Sequence, residues 1–159
     1  MNDTGASPNP LRVVFDTNVL LSMFVFADSR FAPLRVEVDT GRWLAYTRPD
    51  CIEEFRRVLD YAMFKLDPER QAAALAAYVA IARQPHALLP VEPAPLPRCK
   101  DKDDQKFLEL ARDIAADWLV SSDKALLKLN RKMQGRYRIL KPEQALKELI
   151  AAREAQPSP

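Results

Sequence analysis

Two aspartates end apolar runs that a carboxylate should interrupt. Residues 12–16 read RVVFD, and residues 117–123 read DWLVSSD. If both runs are buried parallel strands, their carboxyl ends are where an α/β sheet gathers its ligands. Asp16 and Asp123 then fall at the same edge of the sheet. Each also precedes a helical segment, where an aspartate can simply cap the first turn. Position alone leaves both roles open.

Helical phase sorts the other acids, because residues three and four apart share a face. In CIEEFRRVL (51–59), Glu53 faces Arg56 and Arg57, an ordinary solvent-side pair. Glu54 shares its stripe with Cys51, Phe55, Val58 and Tyr61. Burying that carboxylate unpaired is costly, so it should meet a cation. In CKDKDDQKFLELA (99–111), Asp104 leads the stripe Phe107, Leu108, Ala111 and Ile114. Asp101 lies one turn earlier, as an outer-shell acid. Asp103, beside Lys106, reads as a surface acid. Asp16, Glu54, Asp104 and Asp123 aimed into one pocket would repel unless a cation held them. Hard oxygen ligands favour Mg²⁺ or Mn²⁺. Such an ion can activate a water and neutralise charge on a scissile phosphate. His86, in RQPHALLP, lies outside this set and is given no role.

The elements that must carry these residues follow from hydrophobic period and from proline. Strands are predicted at 11–16, 43–47, 117–122 and 137–141. Helices are predicted at 17–26, 33–40, 49–61, 68–83 and 103–115, with a short one after Asp123 and a last one opened by Pro142. Pro33, Pro49, Pro68 and Pro142 sit at first-turn positions, where proline is tolerated. Residues 85–98 hold five prolines and read as an extended connection. Short apolar strands alternating with helices imply an α/β fold, with helices on both faces of a mostly parallel sheet. No G-x-G-x-x-G or G-x-x-x-x-G-K-[ST] occurs, which argues against a phosphate-cradling nucleotide fold.

The 159 residues suit one domain, and 48% apolar with 29% charged residues can build a core and a solvated surface. The polar, proline-bearing ends, 1–10 and 154–159, are expected to be disordered, leaving 11–153 as the folded domain. No apolar run approaches the length of a bilayer span, and no signal peptide is apparent. Cys51 and Cys99 have no metal-like spacing and read as reduced thiols, so the expected compartment is the cytoplasm. The net charge of +2 does not mark a nucleic-acid binder. Its distribution is more informative: seven basic residues and no acid lie between Lys124 and Lys141. That stretch is either a solvated surface or a phosphate-facing patch.

The segments VVFDTNVLLS, CIEEFRRVL, DKDDQKFLELA, WLVSSDKALL and YRILKPEQAL together resemble the PIN domain family, in particular its toxin branch related to VapC-type toxins. The resemblance spans about residues 11–152. It implies a three-layer α/β/α sandwich and a Mg²⁺- or Mn²⁺-dependent ribonuclease site. It also implies homodimerisation and a cognate antitoxin protein. The family's four acids fall on Asp16, Glu54, Asp104 and Asp123. Asn18 stands beside the first. Ser121 stands where the family usually has threonine and keeps the hydroxyl.

On this reading Asn18 and Ser121 position water or phosphate, and Lys124, Lys128, Arg131 and Lys132 steer RNA. Two alternatives remain: a catalytically silent PIN-like module that binds RNA or protein, and a haloacid-dehalogenase-type phosphatase. The phosphatase chemistry needs a second aspartate two residues after the first. Asn18 occupies that position. Phe24, Phe26 and Phe31, at the end of the helix 17–26 and in the following loop, either fill the core or form the dimer face.

Overall fold

The computed structural model describes residues 9–85, 93–133 and 135–155. Strand β1 (Leu11–Phe15) lies inside a four-stranded parallel sheet of order β2-β1-β3-β4, with β2 at Trp43–Ala45, β3 at Trp118–Val120 and β4 at Arg138–Leu140. Val13 pairs with Ala45 on one side and with Trp118 on the other. This interior position accounts for the unbroken apolar run: Val13, Val14 and Phe15 are all buried, as a strand covered on both faces requires. Successive side chains alternate between the faces. Val13 and Phe15 join Val120 and Leu140 in one core, while Val14 joins Leu119 and Ile139 in a second.

The helices among the described residues are α1 (Thr17–Phe24), α2 (Ala32–Asp39), α3 (Pro49–Leu59), α4 (Pro68–Ile81), α5 (Gln105–Asp113), α6 (Lys124–Leu127) and α7 (Pro142–Ala155). Buried residues of α1, α2, α4 and α7 pack into the first core, and those of α5 and α6 into the second. Helix α3 reaches both, with Phe55 and Leu59 in the first and Cys51 in the second. The three layers form the expected α/β/α sandwich.

Several helix ends depart from the apolar pattern for backbone reasons. Helix α1 stops at Phe24, because the chain reverses through Ala27 at φ 47°. Helix α4 stops at Ile81, and Arg83 forms a parallel bridge with Tyr46 beside the end of β2. The helix expected over 103–115 begins as a 3₁₀ turn, Lys102–Asp104, and α5 itself ends before Ala115 at φ 51°. Helix α7 continues through Ala155. His86, residues 1–8 and residues 156–159 lie outside the described residues. No described helix is long and apolar enough to cross a membrane.

From β1 the chain passes through α1 and α2 to β2. From β3 it passes through α6 to β4 on the opposite side. Strand order therefore reverses between β1 and β3. An open α/β sheet forms its ligand crevice at the carboxyl ends of such a pair. Asp16 and Asp123 follow these two strands.

Candidate metal centre

Asp16 both caps a helix and reaches across to the residue after β3. It is 4% exposed, and its Oδ1 accepts the Val19 N–H at 3.0 Å, capping α1. Its Oδ2 accepts the Ser121 hydroxyl. Burial pushes the Asp16 carboxyl up to about 6, against the hydrogen bonds from Ser121 and Val19, and the charge of Asp123 adds to the rise. Ser121 is fully buried at the end of β3, and its Oγ also accepts the Asp123 N–H at 2.9 Å. Its hydroxyl is thus committed to holding Asp16 against the backbone of Asp123.

Asp101, Asp104 and Asp123 come together, each offering a carboxylate oxygen within 4.8 Å of the others. Asp104 Oδ2 is buried and has no hydrogen-bond partner among the described residues. The Asp104 carboxyl is pushed up to about 8, first by burial, then by the adjacent Asp123 carboxylate and the charges of Asp101 and Asp16. Local backbone geometry fixes its two companions. Asp123 caps α6 by accepting the Ala125 N–H at 2.7 Å, and Asp101 caps the 3₁₀ turn by accepting the Asp103 N–H at 2.9 Å. The buried Cys99 lies against this trio: burial raises its thiol pKa, and Asp104, Asp123 and Asp101 add to the rise. Cys51 is likewise free and buried.

Glu53 and Glu54 separate as helical phase requires. Glu53 is exposed and paired with Arg56. The Glu54 side chain is only 13% exposed, and the cation it meets is Lys106, whose Nζ donates to Oε1 at 2.5 Å. Its other oxygen accepts the Thr17 hydroxyl. Glu54 therefore joins the segment after Asp16 to α5, but it stands outside the trio of Asp101, Asp104 and Asp123. Lys106 and Thr17 are functional candidates that sequence reasoning missed. The available signal was the demand of Glu54 for a cation.

The remaining candidates are on the surface. Asn18 is exposed in the first turn of α1. Lys124 and Lys128 begin α6 and the following 3₁₀ turn, and Arg131 and Lys132 end that turn. All four are exposed, and no ion pair engages them among the described residues. Arg138, in the same basic stretch, pairs with Glu148 instead. One further buried acid belongs elsewhere. Glu37 is 3% exposed and accepts from Arg42 at 2.8 Å and Arg153 at 2.6 Å, tying α2 to α7. Hydrogen bonds from Arg42 hold its carboxyl below the usual range, with Arg153 adding to the effect. Opposite shifts separate this neutralised structural acid from Asp16 and Asp104, which have no cationic partner among the described residues.

The PIN domain family model matches residues 12–125, a stretch from β1 into α6 that contains Asp16, Glu54, Asp101, Asp104 and Asp123. No curated protein and no solved structure matches the chain significantly.

Proposed function

This chain belongs to the PIN domain family, whose members are generally nucleases, and we propose that it is a Mg²⁺- or Mn²⁺-dependent endoribonuclease. The observation that carries the metal is Asp104, whose buried Oδ2 has no partner among the described residues and whose carboxylate stands beside two more. An all-oxygen donor set fits a hard divalent cation. Asp101, Asp104 and Asp123 would hold it, with Asp16 pressed against them through Ser121. When bound, such an ion lowers the pKa of a water and offsets charge on a phosphodiester. Asn18 exposes an amide next to Asp16 that can donate to a phosphate oxygen. Lys124, Lys128, Arg131 and Lys132 follow Asp123 directly, so a strand held by them passes the acids.

Incubation of defined single-stranded RNA with Mg²⁺, Mn²⁺ or EDTA tests the reading. Internal cuts with either metal and none in EDTA are expected. Cleavage that survives EDTA would overturn metal dependence, and intact RNA in every condition would favour a binding module. Phosphate contacts carry no base information directly. Charge reversal at Arg131 and Lys132 is therefore expected to weaken RNA binding uniformly across sequences. It should also lower the slope of log K against log salt by about one unit per lost contact. An unchanged slope returns both residues to the solvated surface.

The finer proposal is the toxin of a toxin–antitoxin pair, acting in the cytoplasm, restrained by an antitoxin protein and assembled as a homodimer. It rests on the resemblance to VapC-type toxins and on one surface. Phe31 fills the core at 4% exposure, and Phe24 packs edge-on against Tyr78 at 5.5 Å. Phe26 remains 53% exposed, on Phe64 at 5.6 Å, and Tyr61 stacks on the same ring at 6.4 Å. With Met63 at 75% exposure, these residues supply apolar area that a partner would cover. Light scattering over a dilution series should give a dimer that Phe26→Ser shifts to monomer. A monomeric wild type at the highest concentration removes the dimer.

A further inference from the structure

The acids around the crevice are in two opposite electrostatic conditions. Asp104, whose Oδ2 has no hydrogen-bond partner among the described residues, stands with the carboxylates of Asp101 and Asp123. Glu54 is already neutralised. Both of its oxygens are engaged, one by the Lys106 ammonium at 2.5 Å and the other by the Thr17 hydroxyl. The Glu54 and Lys106 side chains keep only 13% and 14% of their exposure. Lys106 is itself fixed: it donates to the Asp103 carbonyl and lies 5.1 Å from the centre of the Phe107 ring.

Two cation arrangements could serve such a centre. In one, two divalent ions bind and Glu54 is a ligand of the second. In the other, one divalent ion binds and Lys106 keeps Glu54. The first requires the Lys106–Glu54 pair to break. A largely buried ammonium would then lose its counter-charge and stand beside an added divalent cation. Desolvation and like-charge repulsion both oppose that. A lysine ammonium is also compact enough to occupy an ion's place beside a carboxylate.

We propose that Lys106 is the built-in second cation of this centre, occupying Glu54 so that the chain binds a single divalent ion at Asp101, Asp104 and Asp123. Glu54 is then a positioning residue. It joins the start of α1 through Thr17 to α5 through Lys106, and so holds Asp16 and Asp104 in register. This inference rests on the metal-dependent reading of the same acids, but its test is ion binding and not turnover.

Titration of the chain with Mn²⁺, followed by the electron paramagnetic resonance signal of the free ion, counts bound ions directly. The wild type is expected to bind one Mn²⁺ per chain. Lys106→Met keeps the aliphatic stem and removes the charge, and is expected to raise the count to two. Lys106→Arg should keep it at one. Adding Glu54→Gln to Lys106→Met should return it to one. Two ions in the wild type, or one in Lys106→Met, overturns the inference. If Lys106→Met fails to fold, Lys106→Gln is counted in its place: two bound ions support the inference, and one overturns it. A wild type that binds no Mn²⁺ overturns the metal reading itself. One bound ion without RNA cleavage overturns the ribonuclease reading and leaves the assignment of Lys106 standing.

Discussion

Asp104→Asn is expected to abolish metal-dependent RNA cleavage and, in the same molecule, to raise the melting temperature of the metal-free protein. Both effects follow from one carboxylate. Its Oδ2 is buried without a partner among the described residues, and Asp123, Asp101 and Asp16 all raise its pKa. Without a cation, its negative charge is a cost to the fold. An amide of the same shape removes that cost and can donate to Asp123. The carboxylate is half-buried, so solvent screening cuts the gain to about 1 kcal/mol, or about 2–4 °C for a domain of this length. Losing the several kcal/mol that a bound ion supplies to a phosphoryl transition state corresponds to about a thousandfold or more in rate. Glu37→Gln is the contrasting control. It strips Arg42 and Arg153 of their partner and should cost about 1–2 kcal/mol with cleavage intact, because both arginines are half-exposed. Asp104→Asn behaving like Glu37→Gln would make Asp104 a structural acid.

The sequence carried the architecture because each of its signals is local. Strand β1 reads as buried on both faces from RVVF alone, and Pro49, Pro68 and Pro142 mark helix starts through backbone geometry. Helical phase was enough to turn Glu54 inward and Glu53 outward. Helix ends were less legible, because Ala27 and Ala115 take left-handed conformations without the glycine that usually marks such turns. The partner of Glu54 was hidden for a different reason. Lys106 stands three residues from Asp103, which suggests a local pair, whereas its carboxylate partner lies 52 positions away in the chain. Asp101 is expected one turn before Asp104 as an outer-shell acid, and the structure sets it at the cap of the 3₁₀ turn Lys102–Asp104, with its carboxylate close to those of Asp104 and Asp123. The hydroxyl of Ser121 was visible, but its double engagement with Asp16 and the Asp123 backbone depends on β1 and β3 being neighbours.

Divalent metal is expected to stabilise the protein more at pH 8 than at pH 5. The sign follows from the proton count. An aspartate in the unfolded chain releases its proton near the ordinary 3.8, whereas folded Asp16 and Asp104 hold theirs to about 6 and about 8. Between these limits the folded state binds more protons than the unfolded one. Stability of the metal-free protein therefore falls as pH rises from about 4, through Asp16 first and then Asp104 up to about 8. Asp101 and Asp123 face the same space and deepen the effect with their charge, while the Lys106 ammonium stays committed to Glu54. A metal ion competes with the retained protons, so its affinity climbs over the same interval. At a free concentration one hundred times its Kd, it adds about 2.7 kcal/mol. For a domain of this length, that is about 5–10 °C in Tm. Thermal melts in Mg²⁺ or Mn²⁺ and in EDTA, at half-unit steps from pH 5 to 8, should diverge as pH rises, and Asp104→Asn should largely close the gap. Parallel curves for the wild type, with the metal-free protein gaining stability toward pH 8, would mean that these carboxylates are ionised without strain and need no cation.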